Sequence, residues 1–101
     1  MDHDGEPNFT ATAVLTGDRV VVTVTGEVDM ATAGAMLRAA TRDGAGAATL
    51  DLRAVTFFDS AAIQALVRLA DRYAGAFEVL PSPQVVRVLE ISGLATQPWM
   101  S

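Results

Sequence analysis

The sequence predicts one small α/β domain, a mixed β-sheet with helices mostly on one face in the order β-β-α-β-α-β-α. Three observations carry this. Residues 47–73, AATLDLRAVTFFDSAAIQALVRLADRY, read as a buried strand, a short turn and an amphipathic helix. Residues 9–25 hold two strand-like runs joined by the turn signal Thr16-Gly17-Asp18, the pattern of a β-hairpin. Downstream, strand and helix periods alternate, and right-handed crossovers then make the later strands parallel neighbours.

Residues 1–8 are polar, contain Gly5 and Pro7, and are expected to form a disordered tail. His3 lies within it, with no second ligand nearby. The domain is expected to span residues 9–101. Phe9, Ala11, Ala13 and Leu15 alternate with threonines in the first strand. The run from Val20 to Val24 is apolar on both faces and is expected to lie centrally in the sheet. Gly26-Glu27-Val28-Asp29 closes it, with Asp29 the candidate N-cap of a helix over 30–42. Met30, Ala33, Leu37 and Ala40 form that helix's stripe. Gly34 weakens it by roughly 1 kcal/mol relative to alanine, or permits close approach to the sheet.

In the next strand Ala48, Leu50 and Leu52 alternate with Thr49, Asp51 and Arg53, the two-residue period of a pleated chain. The following helix places Ile63, Leu66, Val67, Ala70 and Tyr73 on one stripe, and Asp59 or Ser60 is suited to cap it. Ala74-Gly75 is a stop signal, and residues 76–80 read as a short strand. Ser82 is the expected cap of a third helix with Pro83 at its first position. Val85, Val86, Val88 and Leu89 supply its buried face. Ser92-Gly93-Leu94 is its expected end, with Gly93 left-handed and Leu94 packing back. Trp99 and Met100 either cover a sheet edge or form a sticky end.

The 101 residues suffice for a modest core. No cysteine is present, which removes disulfides, thiol catalysis and Cys-ligated metal. The net charge is −5, and all seven cations are scattered arginines. Nucleic-acid binding needs clustered cations, so no direct nucleic-acid contact is expected. The acidic N-terminus is followed by no apolar run, so no secretory signal is expected, and no stretch approaches the roughly 18 apolar residues of a membrane span. A cytoplasmic protein is the expectation.

The chemistry of catalysis is sparse. There is no Gly-rich phosphate loop ending in Lys-Ser/Thr and no GxGxxG after a strand. Gly44-Ala45-Gly46 precedes a strand and reads as a turn. No histidine outside the tail can act as a base, which removes a Ser-His-Asp triad. Glu27, Asp29 and Asp59 sit near strand ends, but such acids are more often caps and surface charge than ligands, so no metal or other cofactor is expected. A hydroxyl and a carboxylate at a helix start, outside the carboxyl end of a strand, mark the place where open α/β sheets put their working surface. The expectation is a binding module and not an enzyme.

Four segments then carry a resemblance. GEVD at 26–29, LDL at 50–52, VTFFDSAAI at 55–63 and ISGL at 91–94 resemble the STAS domains of bacterial anti-sigma factor antagonists (anti-anti-sigma factors). Those proteins have a GELD-like segment, a strand followed by FxDSSGL, and an SGL near the end of the third helix. Order and spacing match over about residues 9–94. The resemblance implies a STAS-like fold, shortened at its C-terminus where many relatives add a fifth strand and a fourth helix.

It also implies partner switching in transcription regulation. Such an antagonist docks on an anti-sigma factor of the ATPase-fold serine-kinase type and frees the sigma factor. The kinase phosphorylates the second serine of the DSSG turn, and a phosphatase resets it. A phosphate there meets helix amides and the helix dipole. By this resemblance the partner-binding residues are Glu27, Asp29, Thr32, Asp59, Ser60 and Ala61. This chain departs at the decisive position: Ala61 occupies the phosphoacceptor slot and Ala62 the glycine slot. Ser60 keeps a hydroxyl one residue earlier, as a helix cap or a phosphorylation candidate. Short STAS domains also resemble accessory subunits of lipid-transport ATP-binding-cassette complexes, and that alternative stands beside a small-ligand binder or an inert relative of the same fold.

Overall fold

The computed structural model describes residues 4–6 and 8–101. His3 lies outside them. Five strands, β1 (Asp4–Glu6), β2 (Phe9–Thr16), β3 (Arg19–Val28), β4 (Ala47–Phe58) and β5 (Phe77–Pro81), form one sheet in the order β1-β2-β3-β4-β5. β1, β2 and β3 pair antiparallel, while β3, β4 and β5 are parallel. Helices α1 (Ala33–Thr41), α2 (Ser60–Tyr73) and α3 (Pro83–Ile91) follow β3, β4 and β5. The expected order is present, with β1 added. Within the segment expected to be a tail, Asp4–Glu6 pairs with residues 9–11, and the Asn8 carbonyl accepts the Glu27 amide at 2.7 Å; residues 1–3 and 7 lie outside the described residues.

Burial shows two layers. Val20, Val22 and Val24 of β3, Ala48, Leu50 and Leu52 of β4, and Phe77 and Val79 of β5 are buried under the helices. The alternate residues Thr12, Thr23, Arg53 and Glu78 are exposed. The molecule measures 33 × 33 × 18 Å, the thickness of a sheet with helices on one face. The open face is laced by Arg19 donating to Thr49, and by a bidentate Arg53–Asp51 pair at 3.0 and 2.9 Å. The hydrogen bond from Arg53 holds the Asp51 carboxyl below its ordinary range. Arg53 is largely exposed, so the pair contributes little stability.

Three helix readings change. α1 begins at Ala33, not Met30, because residues 29–32 form a separate turn. Its buried residues are Ala33, Met36, Ala39 and Ala40, so Met36 takes the core place expected of Leu37. Gly34 is exposed, and a Cβ there would meet only the Arg38 side chain, so it serves no approach to the sheet. α2 is rotated from its expected stripe: Ala62, Ala65, Leu66, Leu69 and Tyr73 are buried, while Val67 is 44 % exposed. Residues 61–70 are apolar on much of the helix, and the arc carrying two alanines lets the backbone approach its neighbours closely. Burying each large side chain of this core contributes about 1.5–3 kcal/mol.

α3 matches its expected ends. The Ser82 hydroxyl accepts the Val85 amide at 3.2 Å, Pro83 opens the helix, and Gly93 has φ +77° while the Leu94 amide donates to Leu89 O at 2.8 Å. Trp99 and Met100 cover a sheet edge. Val79 donates to the Trp99 carbonyl at 2.8 Å and accepts from the Ser101 amide at 3.1 Å, and the Trp99 ring lies against Phe77 at 5.9 Å between centroids.

One buried side chain joins two helices. The Tyr73 hydroxyl donates to the Ala40 carbonyl, one of the last four carbonyls of α1, which lack helical partners. Tyr73→Phe keeps the ring stacked on Phe77 but strands that carbonyl. The expected cost is about 1–2 kcal/mol, read as a fall in the thermal midpoint of roughly 4–16 °C for a domain of this size.

Candidate functional site

The parallel strands β3 and β4 deliver two turns to one edge of the molecule. The amide of Asp59 donates to the carbonyl of Val28 at 3.2 Å, so the Glu27–Thr32 turn and the start of α2 lie side by side. The open-sheet rule placed a site at this edge, and the structure brings the expected residues together there.

Asp59 is the N-cap of α2. Its backbone is extended, and its side chain accepts the Ala62 amide at 3.1 Å. That satisfies one of the orphan donors of the first turn, a contribution of about 1 kcal/mol. Ser60 is therefore not the cap. It is the first helical residue, is exposed, and its hydroxyl has no hydrogen-bond partner among the described residues. Ala61 is half-buried and Ala62 fully buried.

The turn before α1 is built differently from the expected Asp29 cap. Thr32 holds the N-cap position of α1 without a side-chain cap bond. Asp29 closes the preceding turn by accepting from the amides of Ala31 at 2.9 Å and Thr32 at 3.2 Å. The Thr32 hydroxyl accepts the Asp29 amide at 2.9 Å and donates to the Glu27 carbonyl at 3.0 Å. Thr32 is only 5 % exposed. It is a positioning residue and offers a partner no surface, which corrects its place among the contact residues.

Gly26 sets the entry to this turn. It has φ +86°, and a Cβ there would lie 2.0 Å from the Asn8 carbonyl oxygen, so only glycine fits. Sequence reasoning passed over two exposed residues at the edge: Met30 at 85 % and Phe57 at 45 % exposure. The helical period puts Met30 on a buried stripe, whereas Met30 precedes α1 and Phe57 lies within β4. The signal was present in Phe57-Phe58, since adjacent strand residues point to opposite faces and only one can be buried.

The edge carries three carboxylates, Glu27, Asp29 and Asp59, and two of them are engaged with backbone amides. Among the described residues no group of three metal-ligating side chains is close enough to hold an ion. The arrangement offers binding through charge, an exposed hydroxyl and apolar tips. Thr32→Val should leave the Glu27 carbonyl and the Asp29 amide without their partner and cost about 1–3 kcal/mol. Hydrogen exchange should then quicken at residues 27–32 first, with the rest of the sheet following only by global unfolding.

The family model described as "Mlab, STAS domain" matches residues 11–100. A search of curated proteins found no match. Among solved structures the chain is similar to an anti-sigma factor antagonist from Mycobacterium paratuberculosis, with 27 % identity, 95 % of this chain and 88 % of that chain covered, and a TM-score of 0.78. It is similar in fold to the anti-sigma factor antagonist SpoIIAA in its unphosphorylated form, at 23 % identity, 90 % and 85 % coverage and a TM-score of 0.71. The phosphorylated form of the Bacillus cell fate determinant SpoIIAA gives 23 %, 90 %, 88 % and 0.65. Among the described residues no helix is long and apolar enough to cross a membrane. With nine-tenths of its length matched and the expected order of strands and helices in place, the chain belongs to the STAS domain family.

Proposed function

We propose that this chain is an anti-sigma factor antagonist, a binding protein and not an enzyme, acting in the cytoplasm. It docks on an ATPase-fold anti-sigma factor of the serine-kinase type and thereby frees a sigma factor. The observation that carries this reading is the likeness to the Mycobacterium paratuberculosis antagonist over 95 % of the chain. The docking face is the edge formed by Glu27, Asp29, Asp59, Ser60 and Ala61, with Thr32 holding the first turn from beneath.

Control of this face differs from the DSSG pattern. Ala61 in the acceptor slot has no hydroxyl. Ser60 is the remaining candidate for phosphorylation, exposed and without a partner among the described residues. A phosphate on Ser60 would gain the amides of the α2 start and would stand beside the Asp59 carboxylate, adding charge of the same sign to the docking face. A phosphatase would then be needed for resetting. If Ser60 is never modified, the switch is absent and control lies elsewhere.

A second reading, an accessory subunit of a lipid-transport ATP-binding-cassette complex, is kept because the matching family model bears the description Mlab and not that of an antagonist. Affinity capture from native lysate separates the two. Recovery of an ATPase-fold anti-sigma protein supports the first, and recovery of transporter subunits supports the second. Incubating the captured complex with Mg-ATP and weighing the intact chain then shows whether a phosphate is added.

Two substitutions test the face itself. Asp59→Lys should weaken docking by about 2 kcal/mol or more, roughly thirtyfold, in a protein whose circular dichroism confirms folding. Undiminished binding by that folded variant would displace the docking face from this edge. Ala61→Ser should gain one phosphate with the cognate kinase. A kinase that binds the variant and leaves residue 61 unmodified would show that the slot is misassigned.

A further inference from the structure

We propose that Met30 and Phe57 are the apolar anchors of the docking edge, and that they enter an apolar pocket bordered by Lys or Arg on a folded protein partner. This rests on the reading of the strand-end edge as the docking face. The exposed apolar residues elsewhere differ in setting. Val14 and Leu15 lie near the β2–β3 hairpin turn and Ile91 at the end of α3, all at the far end of the sheet, and Val67 sits beside Arg68. Met30 and Phe57 lie at the same end of the sheet: Met30 is two residues beyond Val28 and Phe57 one before Phe58, and Val28 and Phe58 are a Cα pair.

Neither residue is exposed for want of order. Met30 projects from the turn held by the Asp29 carboxylate and the Thr32 hydroxyl, so its backbone is set before any partner arrives. Phe57 lies opposite Glu27 in the parallel ladder, while its neighbour Phe58 is buried. Side chains presented on rigid backbone lose less freedom on binding, and methionine and phenylalanine are favoured at the centres of interfaces.

Charge specifies what borders the pocket. Residues 27–33 and 55–61 and the β5–α3 connection 81–84 contain Glu27, Asp29 and Asp59 and no Lys or Arg. The molecule's arginines lie on helix faces and lower on the open sheet. An acidic rim around apolar tips repels an acidic partner and favours one with cations around its pocket.

The test places the photo-crosslinking residue p-benzoylphenylalanine at position 30, 57, 60 or 91, one at a time, in the chain expressed in its native cells. The expected result is covalent adducts from positions 30 and 57 to one partner, none from 91, and a crosslinked segment with Lys or Arg beside apolar residues. Adducts from 60 without 30 and 57 would overturn the anchors and keep the docking face. Adducts only from 91, or none at all, would overturn both, and so an acidic or wholly polar segment would overturn the proposal. With the crosslinked partner purified, Met30→Ala/Phe57→Ala should weaken binding about tenfold or more with an unchanged melting midpoint. The affinity of the unmodified chain should fall as salt is raised. Full affinity in the double variant would overturn the anchors.

Discussion

Everything at the strand-end edge of the sheet depends on the parallel pairing of β3 with β4. Val20 stands opposite Ala48 and Val28 opposite Phe58, so β4 carries two more residues than β3 over the same span. The excess is taken up at two irregularities, after Thr23 and after Gly26. One such slip would send every later side chain of β4 to the wrong face. Two restore the parity, so Val28 and Phe58 both return to the core while Glu27 and Phe57 remain outside. The seam thus buries one phenylalanine and presents the other. It also brings the Val28 carbonyl to the Asp59 amide, which locks the two turns together.

The edge is rigid for reasons that do not involve a partner. Asp59 spends its carboxylate on the first turn of α2, and Asp29 spends its own on the turn before α1. Thr32, buried beneath, ties Glu27 to Asp29 with a single hydroxyl. Two of the three acids that give the edge its negative field, Asp29 and Asp59, are therefore also groups that shape it. Ser60 and the apolar tips are the parts left free to meet something else. An edge of this kind is preorganised, with little ordering left to complete when it binds.

The remainder of the fold keeps that edge in place and closes the other margins. Tyr73 ends α2 by satisfying a carbonyl at the end of α1, so the two helices hold each other against the sheet. Alanines at 39, 40, 62 and 65 keep the helix layer close. At the far margin the segment from Trp99 to Ser101 pairs with Val79, so β5 does not end in open amides that would invite another strand.

Much of this was legible in the residues alone. The hairpin, the two crossovers, the Ser82-Pro83 start and the Gly93 end of α3 all follow from local chemistry, because turn, cap and period signals act over a few residues. The acids of the edge were legible too, through their places at strand ends. What local pattern could not supply was choice among equivalent arcs and registers. The buried face of α2 was decided by which apolar arc could approach α1 and the sheet. The start of α1 was decided by Asp29 bonding to a turn instead of a helix, and the burial of Thr32 by what lay above it. The exposure of Phe57 came from two bulges in a pairing thirty residues apart in sequence, and that of Met30 from the turn that Asp29 and Thr32 hold. Such contacts are long-range, and only the folded chain makes them.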